Sequence, residues 1–126
     1  MKKTFIESSG FSGVFREILS DDGLSVLQQE LLIDPNKGEV MRGCGGLRKL
    51  RTPDPKRGKG KQGGARVIYL HIPEVGMIYL LDIYGKDEKD DLKAREKSIL
   101  KTLAEELKAE AIQKGNRDDK ARGKMS

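Results

Sequence analysis

The chain has 126 residues and a formal charge of +5, and 36% of its residues are apolar and 36% charged. This length is typical of one compact domain, and the positive charge favours a polyanionic partner. A single Cys and a single His exclude an internal disulfide and a structural zinc site, and they predict a reducing compartment. Because we find no apolar run long enough for a membrane span and no signal peptide, we predict a soluble cytoplasmic protein.

The first third of the sequence predicts one strand followed by two helices. Residues 4–7 are β-prone, and the apolar residues between Phe11 and Leu19 recur at helical spacing. Residues 20–23 supply capping groups for a second helix, whose buried side carries leucines between Leu24 and Leu32. Residues 34–38 then form a stop and a turn.

The middle of the chain predicts four strands. Two short strands are expected near residues 39–41 and 46–51, followed by a loop over residues 52–64. Residues 66–72 and 77–84 are nearly continuously apolar, which is typical of strands that are covered on both faces. We expect the two N-terminal helices to cover one face of this sheet.

The last predicted element is a helix that covers the other face. Its apolar residues at helical spacing are Leu92, Ile99, Leu100, Leu103 and Leu107. The acids of residues 87–91 suit its first turn, and the chain past Lys114 reads as a disordered tail. The prediction is therefore a single α+β domain over residues 1–112, in the order β-α-α-β-β-β-β-α, with a basic tail over residues 113–126.

Positive charge is concentrated between residues 42 and 66, where Asp54 is the only acid. The basic residues there are Arg42, Arg48, Lys49, Arg51, Lys56, Arg57, Lys59, Lys61 and Arg66. Glycines alternate with bases over residues 57–66, which lets a backbone approach a phosphate closely, and Arg66 enters a rigid strand. Strand alternation puts Arg48 on one face and both Lys49 and Arg51 on the other.

Composition alone leaves a solvated surface loop and a phosphate-binding loop about equally favoured. The Walker spacing is missing, so the loop is not a P-loop. No Phe or Tyr occurs between residues 16 and 68, which argues against base stacking of the kind used by single-strand binding domains. A surface directed at phosphates remains the functional interpretation.

Three motifs carry a family resemblance that covers about residues 2–110. They are the segments GGLRKLR at 45–51, GKGKQGGAR at 58–66 running into VIY, and LLDIYGK at 80–86. Together and in this order they resemble the HigB branch of the RelE toxin superfamily. The resemblance implies a RelE-like fold with an antiparallel central sheet that grips messenger RNA in the ribosomal A site.

The resemblance also implies a function. It indicates the toxin of a type II toxin–antitoxin system, a ribosome-dependent mRNA endonuclease that attacks the phosphate with the 2′-hydroxyl, without metal or cofactor. The implied partners are a helix-turn-helix antitoxin of the HigA type, the ribosome and mRNA, with the free toxin monomeric. The alternative is a non-catalytic RNA- or ribosome-binding protein that uses the same loop. A transcription regulator is disfavoured, because no helix-turn-helix pattern is present.

Residue roles follow from matching positions in the motifs. Lys59 and Lys61 match the lysine pair that supplies the base, Arg66 the arginine that stabilises the phosphate, and Lys86 the basic residue closing the last strand. The chain departs from some relatives in having Asp87 after Lys86 and no Tyr beyond Tyr84, so the general acid is left between Tyr84 and Arg57. The implied RNA-binding residues are Arg48, Lys49, Arg51, Lys56 and Arg57.

Three further residues are more consistent with structural roles. His71 lies within an apolar strand and is expected to be a core histidine rather than a catalytic one. Cys44 lies between glycines and is expected to be a spectator thiol. Asp82 is expected in a buried pair with Arg66 or at a sheet edge, in preference to orienting a catalytic base.

Overall fold

A computed structural model describes residues 3–53, 64–85 and 91–125. The order of elements is the predicted one. The elements are β1 (Thr4–Glu7), α1 (Ser9–Ile18), α2 (Asp21–Ile33), β2 (Glu39–Val40), β3 (Arg48–Thr52), β4 (Ala65–Ile72), β5 (Met77–Gly85) and α3 (Ala94–Met125), with a 3₁₀ turn at Pro73–Val75 between β4 and β5.

The five strands form one mixed sheet in the order β1-β5-β4-β3-β2. Strands β2 to β5 are antiparallel, as predicted, but β1 runs parallel to β5 with Thr4 opposite Met77 and Glu7 opposite Leu80. The predicted antiparallel central sheet is thus confirmed, and β1 adds a parallel strand at its edge. A parallel pair needs a long connection, and the chain between β1 and β5 provides one.

Two serines begin the N-terminal helices. The Ser8 Oγ accepts a hydrogen bond from the Phe11 N–H at 3.1 Å, and the Ser20 Oγ accepts one from the Gly23 N–H at 3.0 Å. Each hydroxyl satisfies an amide that the first turn of a helix leaves without a partner. The predicted cap of the second helix is confirmed.

The sheet is covered on both faces, as predicted. One face packs against α1 and α2, with Phe11, Leu27 and Leu31 fully buried against strand residues such as Val67. The other face packs against α3 and the residues just before it, where Ile68 and Leu70 meet Leu92, Ala104 and Ala111. We call these the helix-pair face and the α3 face.

Helix α3 differs from the prediction in three respects. It begins at Ala94, so Asp91 and Leu92 precede the helix, and the acid of its first turn is Glu96. Ile99 is 61% exposed, and Ala104 and Ala111 are buried instead, because small side chains let the helix approach the sheet closely. The helix also continues to Met125, past the point at Lys114 where the sequence predicts a disordered tail. That segment contains no proline, which alone among the residues is strongly excluded from a helix interior.

A glycine-rich turn between β2 and β3 holds α3 in place. Gly45 and Gly46 have φ of +69° and +94°, a region that side chains rarely adopt. The Lys108 ammonium of α3 donates a hydrogen bond to the Gly45 carbonyl. A Cβ atom on Gly46 would lie 2.5 Å from the Lys108 Nζ, which a flexible lysine could relieve by moving, so the positive φ is the stronger reason for glycine there.

The loop between α2 and β2 is fixed by a buried tyrosine on β4. The Tyr69 hydroxyl donates to the Pro35 carbonyl at 2.8 Å and accepts from the Gly38 N–H at 2.9 Å. Tyr69 is 0% exposed, so both loop groups depend on this hydroxyl for a partner away from water.

We expect Tyr69→Phe to lower the free energy of unfolding by about 1–3 kcal/mol, because it leaves buried polar groups unsatisfied. Urea denaturation followed by circular dichroism measures the difference. Tyr79→Phe is the matched control, since the Tyr79 hydroxyl makes no hydrogen bond to any residue that the structure describes. Equal losses in the two variants would contradict the anchoring role of the Tyr69 hydroxyl.

Candidate active site

A row of three functional side chains crosses the α3 face of the sheet. Arg51 on β3 is paired in register with Arg66 on β4, and Arg66 is paired with Tyr84 on β5. Arg66 alternates with Ala65 and Val67, which face the helix pair, so its side chain lies on the α3 face. We call Arg51, Arg66 and Tyr84 the cross-strand row.

The members of this row differ in their exposure. Arg51 is exposed, whereas Arg66 is 5% exposed and Tyr84 is 1% exposed. Neighbouring strands lie about 4.8 Å apart, so the three side chains emerge from the sheet as near neighbours. A charge-carrying guanidinium thus lies in a low-dielectric position on the central strand, where its interaction with an anion is strengthened.

The protonation state of Tyr84 is fixed by its surroundings. Burial, reinforced by the Asp91 charge and opposed by Arg66, raises the pKa of Tyr84 to about 12. The phenol is protonated at neutral pH, as an ordinary tyrosine is, and its raised pKa means that it ionises less readily, so it can donate a hydrogen bond.

A second row lies one step further along the same face. Lys49 on β3 is paired with Ile68, and Ile68 with Asp82 on β5. The Asp82 carboxylate accepts a hydrogen bond from the Ile83 N–H at 2.9 Å. Strand β1 pairs with β5 only as far as Leu80, so Asp82 lies beyond it, consistent with the predicted sheet-edge position.

Asp91 links this part of the sheet to α3. Its carboxylate oxygens lie 3.5 Å from the Lys49 Nζ and 3.1 Å from the Lys97 Nζ, and it also accepts a hydrogen bond from the Leu92 N–H. Burial raises the pKa of Asp91, but the hydrogen bonds from Lys97 and Leu92 and the positive charges of both lysines outweigh it and lower the pKa.

Arg48 is not brought together with the cross-strand row. It lies on the helix-pair face, and its Nη1 donates to the carbonyls of Asn36 at 3.0 Å and Gly38 at 2.8 Å. These contacts hold the loop that Tyr69 also anchors. The geometry gives Arg48 a structural role in place of the RNA contact that the sequence predicts.

His71 and Cys44 also lie away from the cross-strand row. The His71 Nδ1 is 3.1 Å from the Asn36 Oδ1 on the helix-pair face, and burial, with the charges of Lys3 and Arg48, lowers its pKa. Cys44 is buried, and its thiol contacts the Arg42 carbonyl at 3.6 Å. The placement of Cys44 fits the spectator role expected from the sequence. His71 is the one residue of β4 that is not buried, so the expectation of a core histidine is wrong, although His71 does lie away from the row as expected.

Five predicted site residues lie outside the described residues. They are Lys56, Arg57, Lys59, Lys61 and Lys86. Their assignments stay predictions. In the sequence, residues 54–63 come shortly before β4 and residues 86–90 directly follow β5, so these five positions are close in sequence to strands of the cross-strand row.

Sequence reasoning did not find the cross-strand row or the position of Asp91 and Lys97. The period-two alternation of β3 and β4 indicated the faces of Arg51 and Arg66, but the register that aligns them depends on pairing between distant segments. Lys97 carries no local signal, since it resembles the other lysines of α3.

The described parts of the chain contain neither a membrane-spanning helix nor a metal-binding cluster. No helix within them is long and apolar enough to cross a bilayer. Over residues 3–53, 64–85 and 91–114, no three His, Cys, Asp or Glu side chains come together in an arrangement suited to a metal ion.

No protein-family model matches the sequence. Among solved structures, the chain is similar to the E. coli toxin RelE, in a free-state variant with two arginines replaced by alanine. The match has 16% sequence identity and a TM-score of 0.51, and it covers 71% of this chain and 90% of RelE. This likeness shows the fold: the described chain has the RelE-like α+β fold, with helices on both faces of a mixed sheet.

The raised pKa of Tyr84 predicts a pH dependence of stability. The unfolded phenol ionises near pH 10.0 and the folded one at about 12, so stability from the neutral phenol is complete below pH 10 and is lost as the pH rises to 12. We expect the free energy of unfolding to fall more steeply over this range in the wild type than in Tyr84→Phe. Urea denaturation at several alkaline pH values measures the slopes, and parallel slopes would contradict the burial of the phenol.

Proposed function

We propose that the protein is the toxin of a toxin–antitoxin system of the RelE/HigB type, and that it cleaves messenger RNA on the ribosome. The RelE-like fold supports the class, and the cross-strand row is the observation that carries the proposal. Arg51, Arg66 and Tyr84 combine an exposed cation, a buried cation and a protonated phenol on one face. Phosphodiester cleavage calls for such a set of groups.

The proposed reaction is an internal transfer at phosphorus. The RNA 2′-oxygen bonds to the adjacent phosphorus while the bond from phosphorus to the 5′-oxygen breaks, leaving a 2′,3′-cyclic phosphate. A base removes the 2′-hydroxyl proton, and an acid protonates the departing 5′-oxygen. Positive charge must also stabilise the phosphorane as it forms.

The side chains divide these tasks. Lys59 or Lys61 is assigned as the base, and Arg66 with Lys86 as the groups that stabilise the phosphorane. Tyr84 is favoured over Arg57 as the acid, because a phenol can give up its proton whereas a guanidinium is not deprotonated in proteins. No metal or cofactor takes part in this scheme.

The proposed RNA surface is the α3 face around the row. Lys49 and Arg51 lie on it, and Lys56 and Arg57 are expected to extend it. Arg48 is left out because it faces the helix pair. The proposed partners are a helix-turn-helix antitoxin of the HigA type, the ribosome and mRNA, with the free toxin a cytoplasmic monomer.

A second candidate function is RNA or ribosome binding without cleavage. The low exposure of Arg66 and Tyr84 favours it, because groups that react with RNA must reach the phosphate. Arg51 and Lys49 would suffice to bind a phosphate backbone. Mutation of Arg66 separates the two functions.

We expect Arg66→Ala to lower the rate of mRNA cleavage by about 10²–10³-fold, because it removes charge stabilisation at the phosphorane. Primer extension on a message translated in a cell-free extract measures cleavage, and growth after induction measures toxicity. Arg66→Lys keeps the charge but loses the planar fork, so it should recover only part of the rate.

Arg16→Ala is the matched control for this experiment. Arg16 is an exposed residue of α1, and its guanidinium lies 5.4 Å from the centre of the Phe15 ring. Circular dichroism must show that each variant is folded. Wild-type cleavage by folded Arg66→Ala and Arg66→Lys would contradict the catalytic assignment and favour the binding function.

We expect the purified protein to leave free RNA largely intact and to cut messages under translation. Lysine-based acid–base chemistry is inefficient until the 2′-hydroxyl, phosphorus and leaving oxygen are aligned, and the ribosome supplies that alignment. Incubation of one transcript with and without a translating extract measures the difference. Equal cleavage in both reactions would contradict ribosome dependence while leaving the nuclease assignment intact.

A further inference from the structure

A polar pocket of about 220 Å³ lies beside the cross-strand row, between the β2–β3 hairpin and the start of α3. Three cations line it: Arg42 from the hairpin turn, Lys49 from β3 and Lys97 from α3. Two acids, Glu39 and Asp91, also line it, so the pocket has a net positive charge. The cations come from three separate segments, and the fold is what brings them together.

The pocket continues the cross-strand row. Lys49 lies two residues before Arg51 on the same face of β3, and two residues of a strand span about 6.7 Å. This step is comparable with the separation of successive phosphates in an extended single strand. An RNA whose reacting phosphate lies at Arg66 would therefore bring a neighbouring phosphate to the pocket.

A carboxylate of the protein itself lies between two of the cations of this pocket. The Asp91 carboxylate lies between the Lys49 and Lys97 ammonium groups, at 3.5 and 3.1 Å. All three side chains are partly exposed, at 25%, 47% and 38% for Lys49, Asp91 and Lys97. Exposed ion pairs of this kind contribute little to stability, so a phosphate can compete with the carboxylate for both lysines.

We infer that this pocket is a phosphate subsite that binds the RNA backbone one nucleotide away from the cleaved bond. Lys49 and Lys97 contact the phosphate oxygens, and Arg42 supplies a planar fork at the rim. Asp91 holds the two lysines in place before RNA arrives and weakens its binding. This inference rests on the proposed function, since it takes RNA as the ligand and Arg66 as the centre of reaction.

The test is equilibrium binding of a fluorescein-labelled single-stranded RNA in which every 2′-hydroxyl is methylated, so that it binds without being cut. Fluorescence anisotropy over a series of salt concentrations gives Kd and its salt dependence. Lys97→Met should weaken binding about three- to tenfold and reduce the slope of log K against log salt by about 0.7, the value for one phosphate of a single strand.

Lys114→Met is the matched control. It removes the same charge from the same helix, 17 residues and about 25 Å further along, and it should leave both Kd and slope unchanged. If Lys97→Met equals the wild type, or if both variants weaken binding equally, the pocket is not a phosphate subsite. A wild-type protein with no measurable affinity at low salt would overturn it as well.

Asp91→Asn should change the affinity for RNA in the opposite direction to Lys97→Met. The amide can still accept the hydrogen bond from the Leu92 N–H but no longer competes with a phosphate, so RNA should bind about two- to threefold more tightly. Weaker binding by a folded Asp91→Asn variant would overturn the role assigned to the carboxylate. A purely structural role for Asp91 predicts that weakening.

These experiments separate the subsite from the proposed function. If Lys97→Met loses affinity for the methylated RNA but the wild-type protein does not cut translated messages, the subsite is supported and the proposed cleavage is wrong. If messages are cut and Lys97→Met binds like Lys114→Met, cleavage stands and the subsite fails.

Discussion

The pairing of β4 with β3 and β5 determines which side chains meet on each face of the sheet. Every residue of β4 except His71 is buried, so a slip of one residue would bring the charged Arg66 under the helix pair and exchange the apolar side chains that fill the two cores. That cost keeps the register fixed. Arg51, Arg66 and Tyr84 are aligned by the same hydrophobic burial that stabilises the fold.

Helix α3 has different roles along its length. Ala104 and Ala111 pack in the core, and Lys108 binds the glycine turn, so this part of the helix is attached to the sheet. The segment that leads into the helix carries Asp91, whose charge acts on Tyr84 and on two lysines. The docking of the apolar part therefore decides the electrostatics of the candidate site.

The element order and the helix caps could be predicted because they depend on local patterns. Apolar spacing identified α1 and α2, and Ser20 lies where a cap is needed. The direction of β1 could not be predicted, since its pairing with β5 joins segments about seventy residues apart. Ile99 fits the helical stripe as well as its neighbours do, and only the approach of α3 to the sheet decides that alanines are buried there.

The candidate site also has a part that local sequence patterns predict and a part that they do not. The faces of Arg48, Lys49 and Arg51 follow from alternation along one strand, and the structure has them as predicted. What alternation does not give is the contact each side chain makes. Arg48 donates to two loop carbonyls, and Lys49 pairs with the Asp91 carboxylate. These partners belong to the loop after α2 and to the segment before α3, which are distant from β3 in the sequence.

The anchored loop after α2 links the two faces of the sheet. Tyr69, Arg48 and His71 hold residues 35–38 from the helix-pair face, and those residues lead directly into β2, which borders the polar pocket on the other side. The loop therefore connects the side chains of the helix-pair face to the wall of the polar pocket. Substitutions at a tyrosine or arginine that never meets RNA would displace the pocket wall, and their effects would combine non-additively with those of the pocket lysines.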